Sequence, residues 1–321
     1  MKVVFKNQPK LSGFDIDKRA DDLRVSLIPH IESFLKNDEL FSGKEISVEF
    51  SHVGVSSLLS FIETEGKKYV LKIPLFDSNL AGNEAMFLKA WKNVDVSVPH
   101  VYKTGVIDGH QFLLMEFVDA PVLMDVIEKG EAKENVSIEL GKILAKMHTS
   151  KAEGFGQIVD GKPEFKTFQE WVSNKPIQER IEYVKNNNVL GDEHGSIDKA
   201  IDILTTYAEK QNSSTYCHFD FGASNILATE PLTVIDPNPI FNLGIVDIGR
   251  SVLLEHSGGF DGEQLKQGYF SGAEYDAQAL QSAVLLSAYW KVVYWHQKNK
   301  TKPIENVRQF LSKTKHLLEY Y

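Results

Sequence analysis

Cysteine is nearly absent from this 321-residue chain, and the one present, Cys217, leaves no internal disulfide and no cysteine-cluster metal site to consider. It reads as a small buried hydrophobe. Positive charge is also short: 35 lysines and arginines against 44 aspartates and glutamates give a net charge of −9. Binding along a phosphate backbone needs a basic surface, so the charge argues against nucleic acid as a partner. The acidity is compatible with a cationic small-molecule partner. No apolar run approaches the length of a membrane span, and the opening MKVVFKNQPK has no apolar core of signal-peptide length. No membrane partner is expected, and the expected location is cytoplasmic. Internal repeats, low-complexity segments and interdomain linkers are missing too, and nothing in the sequence signals an oligomeric state.

The informative stretch runs from Tyr216 to Asp247, YCHFDFGASNILATEPLTVIDPNPIFNLGIVD. His218-Phe219-Asp220 is an H-x-D triplet, and Asn225 follows five residues after Asp220. That offset matches the kinase catalytic loop, in which the Asp takes the acceptor hydroxyl proton and the Asn holds a magnesium ion. Two short apolar runs, Ile226–Ala228 and Leu232–Ile235, flank a Glu230-Pro231 turn and predict a β-hairpin. The hairpin returns Asp236 to the side of Asn225. Two oxygen ligands at adjacent strand ends suit a hard divalent cation. Taken singly, these residues are a turn Asp, an Asx-turn Asn and a strand-ending Asp-Pro. Their joint spacing points instead to metal-dependent phosphoryl transfer.

The stretch resembles the signature of the aminoglycoside phosphotransferase-like family, small-molecule kinases with the protein kinase-like fold. The family loop commonly reads H-G-D-x-x-x-x-N, followed by an I-D-P turn and a further Asp. Here these are His218-Phe219-Asp220, Asn225, Ile235-Asp236-Pro237 and Asp247, with Phe219 standing where the family usually has Gly. The resemblance spans about residues 45 to 295. It implies that Asp220 is the catalytic base, that Asn225 and Asp236 bind Mg²⁺, that Asp247 braces the loop and that ATP is the donor.

Upstream, the pattern follows the order of a kinase first lobe. Residues 1 to 42 begin with a polar arm, and Ile16 to Leu35 predicts one amphipathic helix with Pro29 as a kink. Ile46, Val48 and Phe50 alternate with polar residues, and Leu58–Glu63 and Tyr69–Ile73 form two further strands. The intervening loop offers Gly54, Ser56 and Ser57 to nucleotide phosphates. Lys72 resembles the strand lysine of V-A-I-K, and Glu84, on a helix from Asn79 to Trp91, resembles the carboxylate that positions it. The strand QFLLMEFV ends in a segment resembling the family hinge, placing Met115 beside the base and Glu116 and Val118 at its edge. Beyond it the periodicity turns helical, with Leu140, Ile143, Leu144 and Met147 on one stripe.

The expected fold is therefore α+β and bilobal, with a five-stranded antiparallel first-lobe sheet and a mainly helical second lobe. Residues 1–117 would bind nucleotide, and residues 118–321 would carry the catalytic loop and acceptor site. The expected function is an ATP- and Mg²⁺-dependent phosphotransferase, a small-molecule kinase acting on a hydroxyl of an aminoglycoside, amino alcohol or sugar-like acceptor. Fructosamines fit less well, because the L-H-G-D-L-W-x-G-N pattern is absent. Two alternatives stand beside it: a catalytically silent nucleotide- or metabolite-binding protein of the same fold, and an unrelated metal-dependent hydrolase using His218, Asp220 and Asp236 as ligands.

Overall fold

The computed structural model describes residues 2–9, 18–52, 56–76, 80–191, 196–254, 259–271 and 273–314. The chain divides into two compact units, Met1–Lys89 with Val98–Asp119, and Ala90–Ser97 with Ala120–Tyr321. Strand segregation in the first and helix predominance in the second make it an α+β protein of kinase-like fold.

The first unit is built on a sheet of β1 (Val3–Phe5), β2 (Ile46–Phe50), β3 (Ser57–Thr64), β4 (Lys67–Pro74), β5 (Val101–Ile107) and β6 (His110–Glu116). Its order is β1-β2-β3-β4-β6-β5. The five strands β2 to β6 pair antiparallel as expected, but the sheet has six strands, because β1 adds in parallel to β2 with Val3 opposite Ile46. The opening segment looked like a polar arm because only three apolar residues sit between Lys2 and Lys6. Those three suffice for an edge strand: Phe5 stacks on Phe50 with ring centroids 5.7 Å apart. Asn7 closes the end, donating to the Phe50 carbonyl at 2.8 Å and accepting its N–H at 2.7 Å.

The single helix expected to Leu35 is two, α1 (Lys18–Ser26) and α2 (Ile28–Asn37); its expected start at Ile16 lies outside the described residues. Pro29 stands in the first turn of α2. There its missing N–H costs nothing, whereas inside one continuous helix it would remove a bond and clash with the preceding turn. The apolar face survives the break, since Leu27, Ile31 and Leu35 are fully buried in the same core as Ile46, Val48 and Leu71. Next comes α3 (Leu80–Asn93), whose residues from Ala90 onward belong to the second unit.

In the second unit the helix Ala277–Gln297 is buried without interruption from Ala279 to Tyr289. A helix apolar on all sides lies at the centre of its unit, and this one packs on Gly244–Leu253 and Ile197–Gln211. The unit also holds a five-stranded sheet, in the order Lys151–Ala152, Ser214–Cys217, Ile240–Asn242, Phe155–Val159 and Lys162–Phe165. These strands run two to five residues, too short for alternation to be legible. The sheet ends Cys217 one residue before His218.

Two helices meet through glycine. An added Cβ on Gly141 of Val136–Met147 would lie 2.1 Å from the Leu265 carbonyl, and one on Gly268 of Gly262–Phe270 would lie 2.0 Å from the Ile138 carbonyl. Since the obstacle is backbone, Gly268→Ala must separate the helices. The expected loss is about 1–3 kcal/mol, as for other overpacked sites, measured as a lower urea midpoint at unchanged slope.

Candidate active site

The loop from His218 to Asn225 is held by a buried carboxylate. Asp247 lies in the first turn of the helix Gly244–Leu253 and is fully buried. One of its oxygens accepts the His218 N–H at 2.7 Å, and the other accepts the Phe219 N–H at 2.9 Å. His148 Nε2 lies 3.0 Å from the first oxygen, and His148 Nδ1 meets the Tyr269 hydroxyl at 2.7 Å. Burial alone would raise the Asp247 carboxyl, but the His148 bond and the Phe219 amide hold it below the usual carboxylate range. Gly244 leaves room for this network, since a Cβ there would sit 2.7 Å from His148 Nδ1 and from the Tyr269 hydroxyl.

His148, Cys217 and Asp247 approach closely enough to resemble a metal cluster. Both His148 nitrogens are occupied, however, and Cys217 is capped by the Asn242 carbonyl at 3.5 Å. Burial first, and Asp247 second, push the Cys217 thiol well above its ordinary value. The group is a hydrogen-bonded brace.

His218 joins the two halves of the catalytic hairpin. Its Nε2 lies 3.0 Å from the Ile235 carbonyl, and its Nδ1 accepts the Asp220 N–H at 3.3 Å. This fixes the proton on Nε2 and spends both ring nitrogens on backbone. The Trp91 ring stacks on it at 5.8 Å. The Asn238 N–H donates to the His218 carbonyl at 2.9 Å, so the Ile235-Asp236-Pro237 turn is tied to the loop from both sides.

The predicted hairpin is present as Ile226–Leu227 paired with Thr233–Val234. It brings Ile235 to Asn225, whose carbonyl accepts the Ile235 N–H at 3.0 Å. The Asn225 amide nitrogen donates to the Asp220 carbonyl at 2.8 Å and lies 3.3 Å from one carboxylate oxygen of Asp220. Its own amide oxygen is thereby turned away from Asp220. Asp236 is exposed and sits at φ 53. An oriented amide oxygen and an exposed carboxylate form an oxygen donor set that fits Mg²⁺.

Asp220 is half-exposed, with Lys291 Nζ 3.3 Å from its other oxygen. Burial would raise this carboxyl; the charges of Lys291 and Arg250, with the Lys291 bond, outweigh burial and keep it below its ordinary value. The group is a carboxylate at neutral pH.

In the first unit, Lys72 and Glu84 meet as expected from their order in the chain, with Nζ 2.5 Å from Oε2. Both are buried, at 4% and 0% exposure. Lys72 lies between Leu59 of β3 and Leu113 of β6 in register. Gly54 lies outside the described residues. Ser56 is exposed, whereas the Ser57 side chain is buried and its carbonyl accepts a 3.0 Å bond from the buried Arg24 guanidinium of α1. Met115 is buried on β6; the Glu116 N–H is taken by the His100 carbonyl at 2.8 Å, and the chain leaves the sheet before Val118.

Sequence reasoning missed Lys291, Arg250 and Arg24. A signal existed for two of them: Lys291 interrupts the apolar run SAYWKVVYW, and Arg250 interrupts DIGRSVLL. A cation within an apolar helix face requires a partner.

The phosphotransferase enzyme family model matches residues 48–242. A 36% identity over 107 residues relates the chain to an uncharacterised Staphylococcus aureus protein from the ileS 3′ region, covering 33% of this chain and 75% of that one. Among solved structures, an aminoglycoside phosphotransferase APH(4)-Ia mutant in ternary complex with AMP-PNP and hygromycin B superposes with a TM-score of 0.64 at 15% identity, covering 91% of this chain and 99% of that chain. A Haemophilus somnus protein provisionally assigned as fructosamine-3-kinase gives a TM-score of 0.60 at 17% identity, covering 90% and 97%. At these identities the likeness is one of fold.

His218 also sets a pH dependence. Burial lowers its pKa, although Asp247, Ile235, Asp220 and Asp236 pull the other way. As pH falls below the unfolded value of about 6.5, the unfolded chain binds a proton that the folded chain refuses, so stability falls with pH. The urea-unfolding free energy of the wild type should drop more between about pH 7.5 and 5.5 than that of His218→Gln, which cannot titrate.

Proposed function

Because the chain belongs to the phosphotransferase enzyme family, we propose that it transfers the γ-phosphate of ATP to a hydroxyl of a small molecule in a Mg²⁺-dependent reaction. The observation that carries this reading is the ionised Asp220 carboxylate, with Asn225 donating to the Asp220 carbonyl and the Asp236 turn tied to the same loop through His218 and Asn225. The nucleotide analogue and small-molecule acceptor bound by the APH(4)-Ia neighbour support a nucleotide donor and a small-molecule acceptor.

Each group has a definite task. Asp220 accepts the acceptor's hydroxyl proton as that oxygen bonds to phosphorus and the bond to ADP breaks. Asn225 and Asp236 would hold Mg²⁺, which supplies charge neutralisation for the phosphates. Lys72, held by Glu84, contacts the nucleotide phosphates, with Ser56 and Ser57 nearby in the chain. The Met115–Val118 segment takes the adenine, through the Glu116 carbonyl and the Val118 amide. Residues 1–117 then bind nucleotide, and residues 118–321 carry the chemistry and the acceptor. Loose phosphoryl-transfer transition states need mainly positioning and charge neutralisation.

The hydrolase alternative needs His218 as a metal ligand, and both of its nitrogens are already committed to backbone. A silent binding protein would have no use for a base held ionised beside a metal pair.

Asp220→Asn should lower kcat by about 10²–10⁴, the usual worth of a general base, while ATP affinity measured by calorimetry stays near wild type. Turnover close to wild type would remove Asp220 from the role. Asp236→Ala should raise the Mg²⁺ concentration needed for half-maximal rate and weaken MgATP binding far more than metal-free ATP binding. Lys72→Met should weaken nucleotide binding by about 1.5–3 kcal/mol, the worth of a charge-assisted contact, with Glu84→Gln milder.

A further inference from the structure

The charges around Asp220 do not balance. Lys291 Nζ lies 3.3 Å from one Asp220 oxygen and retains 25% side-chain exposure. Arg250 is only 4% exposed, and among the described residues its Nε and one Nη nitrogen have no hydrogen-bond partner. The Arg250 guanidinium lies over the Phe219 ring at 4.4 Å. Phe219 in turn meets Trp290 edge-on at 5.8 Å, and the Arg180 guanidinium lies over the other ring system of this group, Trp290, at 4.5 Å.

Two carboxylates act on these cations, and one of them is spent. Asp247 already serves His148 and two backbone amides. Among the described residues, that leaves the Asp220 carboxylate, which Lys291 already meets, as the other negative charge acting on Arg250. Burial, opposed by Asp220 and Asp247 and reinforced by Arg180, brings the Arg250 guanidinium down to about 10. A buried cation with unmet donors is costly in any static account of stability. It becomes intelligible when an anion completes it.

The side of Asp220 matters. Asn225 approaches one carboxylate oxygen, while Lys291 approaches the other. The cations come from the helices Gly244–Leu253 and Ala277–Gln297, whereas the metal pair comes from the hairpin. Lys291 therefore meets a different Asp220 oxygen from the one nearest Asn225.

We propose that the acceptor is an anionic polyol, carrying a carboxylate or phosphate beside the hydroxyl that is phosphorylated, and that Lys291 receives this anion with Arg250 supplying charge behind it. This rests on the phosphotransferase reading above and replaces the cationic acceptor that the net charge alone would suggest.

The test offers the full-length protein MgATP with a mixture of sugar acids, sugar phosphates, neutral polyols and aminoglycosides, and identifies phosphorylated products by mass spectrometry. Products should come from the anionic classes. Lys291→Met should raise KM for the preferred anion about tenfold or more while leaving KM for a neutral polyol near the wild-type value, and Lys291→Arg should restore most of the affinity. Products confined to the neutral or cationic classes would overturn the proposal. So would a Lys291→Met variant that loses kcat at unchanged KM, since the cation would then serve the phosphoryl group in transfer. Absence of product from every class also overturns it. Calorimetry without acceptor separates that failure from failure of the phosphotransferase reading: Mg²⁺-dependent ATP binding that Asp236→Ala abolishes leaves the phosphotransferase standing, and no such binding removes both.

Discussion

One buried carboxylate ties the catalytic loop to the helical body of the second unit. Asp247 has no exposure, yet it is ionised because each lone-pair direction that matters is met by a donor: two consecutive backbone amides, His218 and Phe219, and the His148 ring. Two amides in a row can point at one carboxylate only if the backbone between them turns sharply. The same turn presents Asp220 outward. The carboxylate therefore does more than anchor; it selects the loop conformation in which Asp220 is exposed. His218 extends that selection to the metal-side turn through the Ile235 and Asn238 backbone. Removing Asp247 would leave buried amides unpaired, which costs more than the bonds themselves contribute.

Buried charge recurs in both units with a common logic. Lys72 and Glu84 are as buried as the leucines beside them, Arg24 is 1% exposed, and Arg250 is 4% exposed. Buried ion pairs are weak contributors to stability, because desolvation consumes most of what attraction returns. Stability therefore does not account for these residues. Preorganisation is the role proposed for them: a charge held in a low-dielectric setting acts on a ligand without having to move first. Arg24 fits this logic indirectly, since it grips the carbonyl of Ser57 where β3 begins, linking the added helical layer to the loop expected to meet phosphate.

What the sequence displayed and what it hid follow from length and reach. The hairpin strands, β2 to β6 and the long helices were legible because each repeats its period over enough residues, or carries turn residues at fixed offsets. Asp220, Asn225 and Asp236 were legible for the same reason, being close in sequence and governed by one turn. Lys72 and Glu84 were legible as an order of elements rather than as a contact. The strand Val3–Phe5 and the five short strands of the second unit were hidden because two to five residues hold too little periodicity. Lys291 lies 71 residues from Asp220, and no local pattern carries such a pairing. The split at Leu27 was visible in principle, since Pro29 sits where a second helix can begin but not where one can continue.

Phe219 brings these threads together. Its backbone is left-handed, at φ 58, a conformation that glycine adopts freely and a bulky side chain adopts at a cost of about 1–3 kcal/mol. The Asp247 bonds impose that conformation on whatever residue stands there, which gives a physical reason for glycine at this position in the related loop pattern. A phenylalanine persists only if its side chain returns the cost. It is 3% exposed, with the Arg250 guanidinium on its face and Trp290 at its edge. Burial of a ring of this size, with a cation–π contact in a desolvated setting, is of the order needed. The exchange has a structural consequence that glycine could not provide. With Phe219 in place, the backbone of the catalytic loop is packed directly against Arg250 and Trp290, so the residues proposed to receive the acceptor and the residue that holds the base form one rigid group.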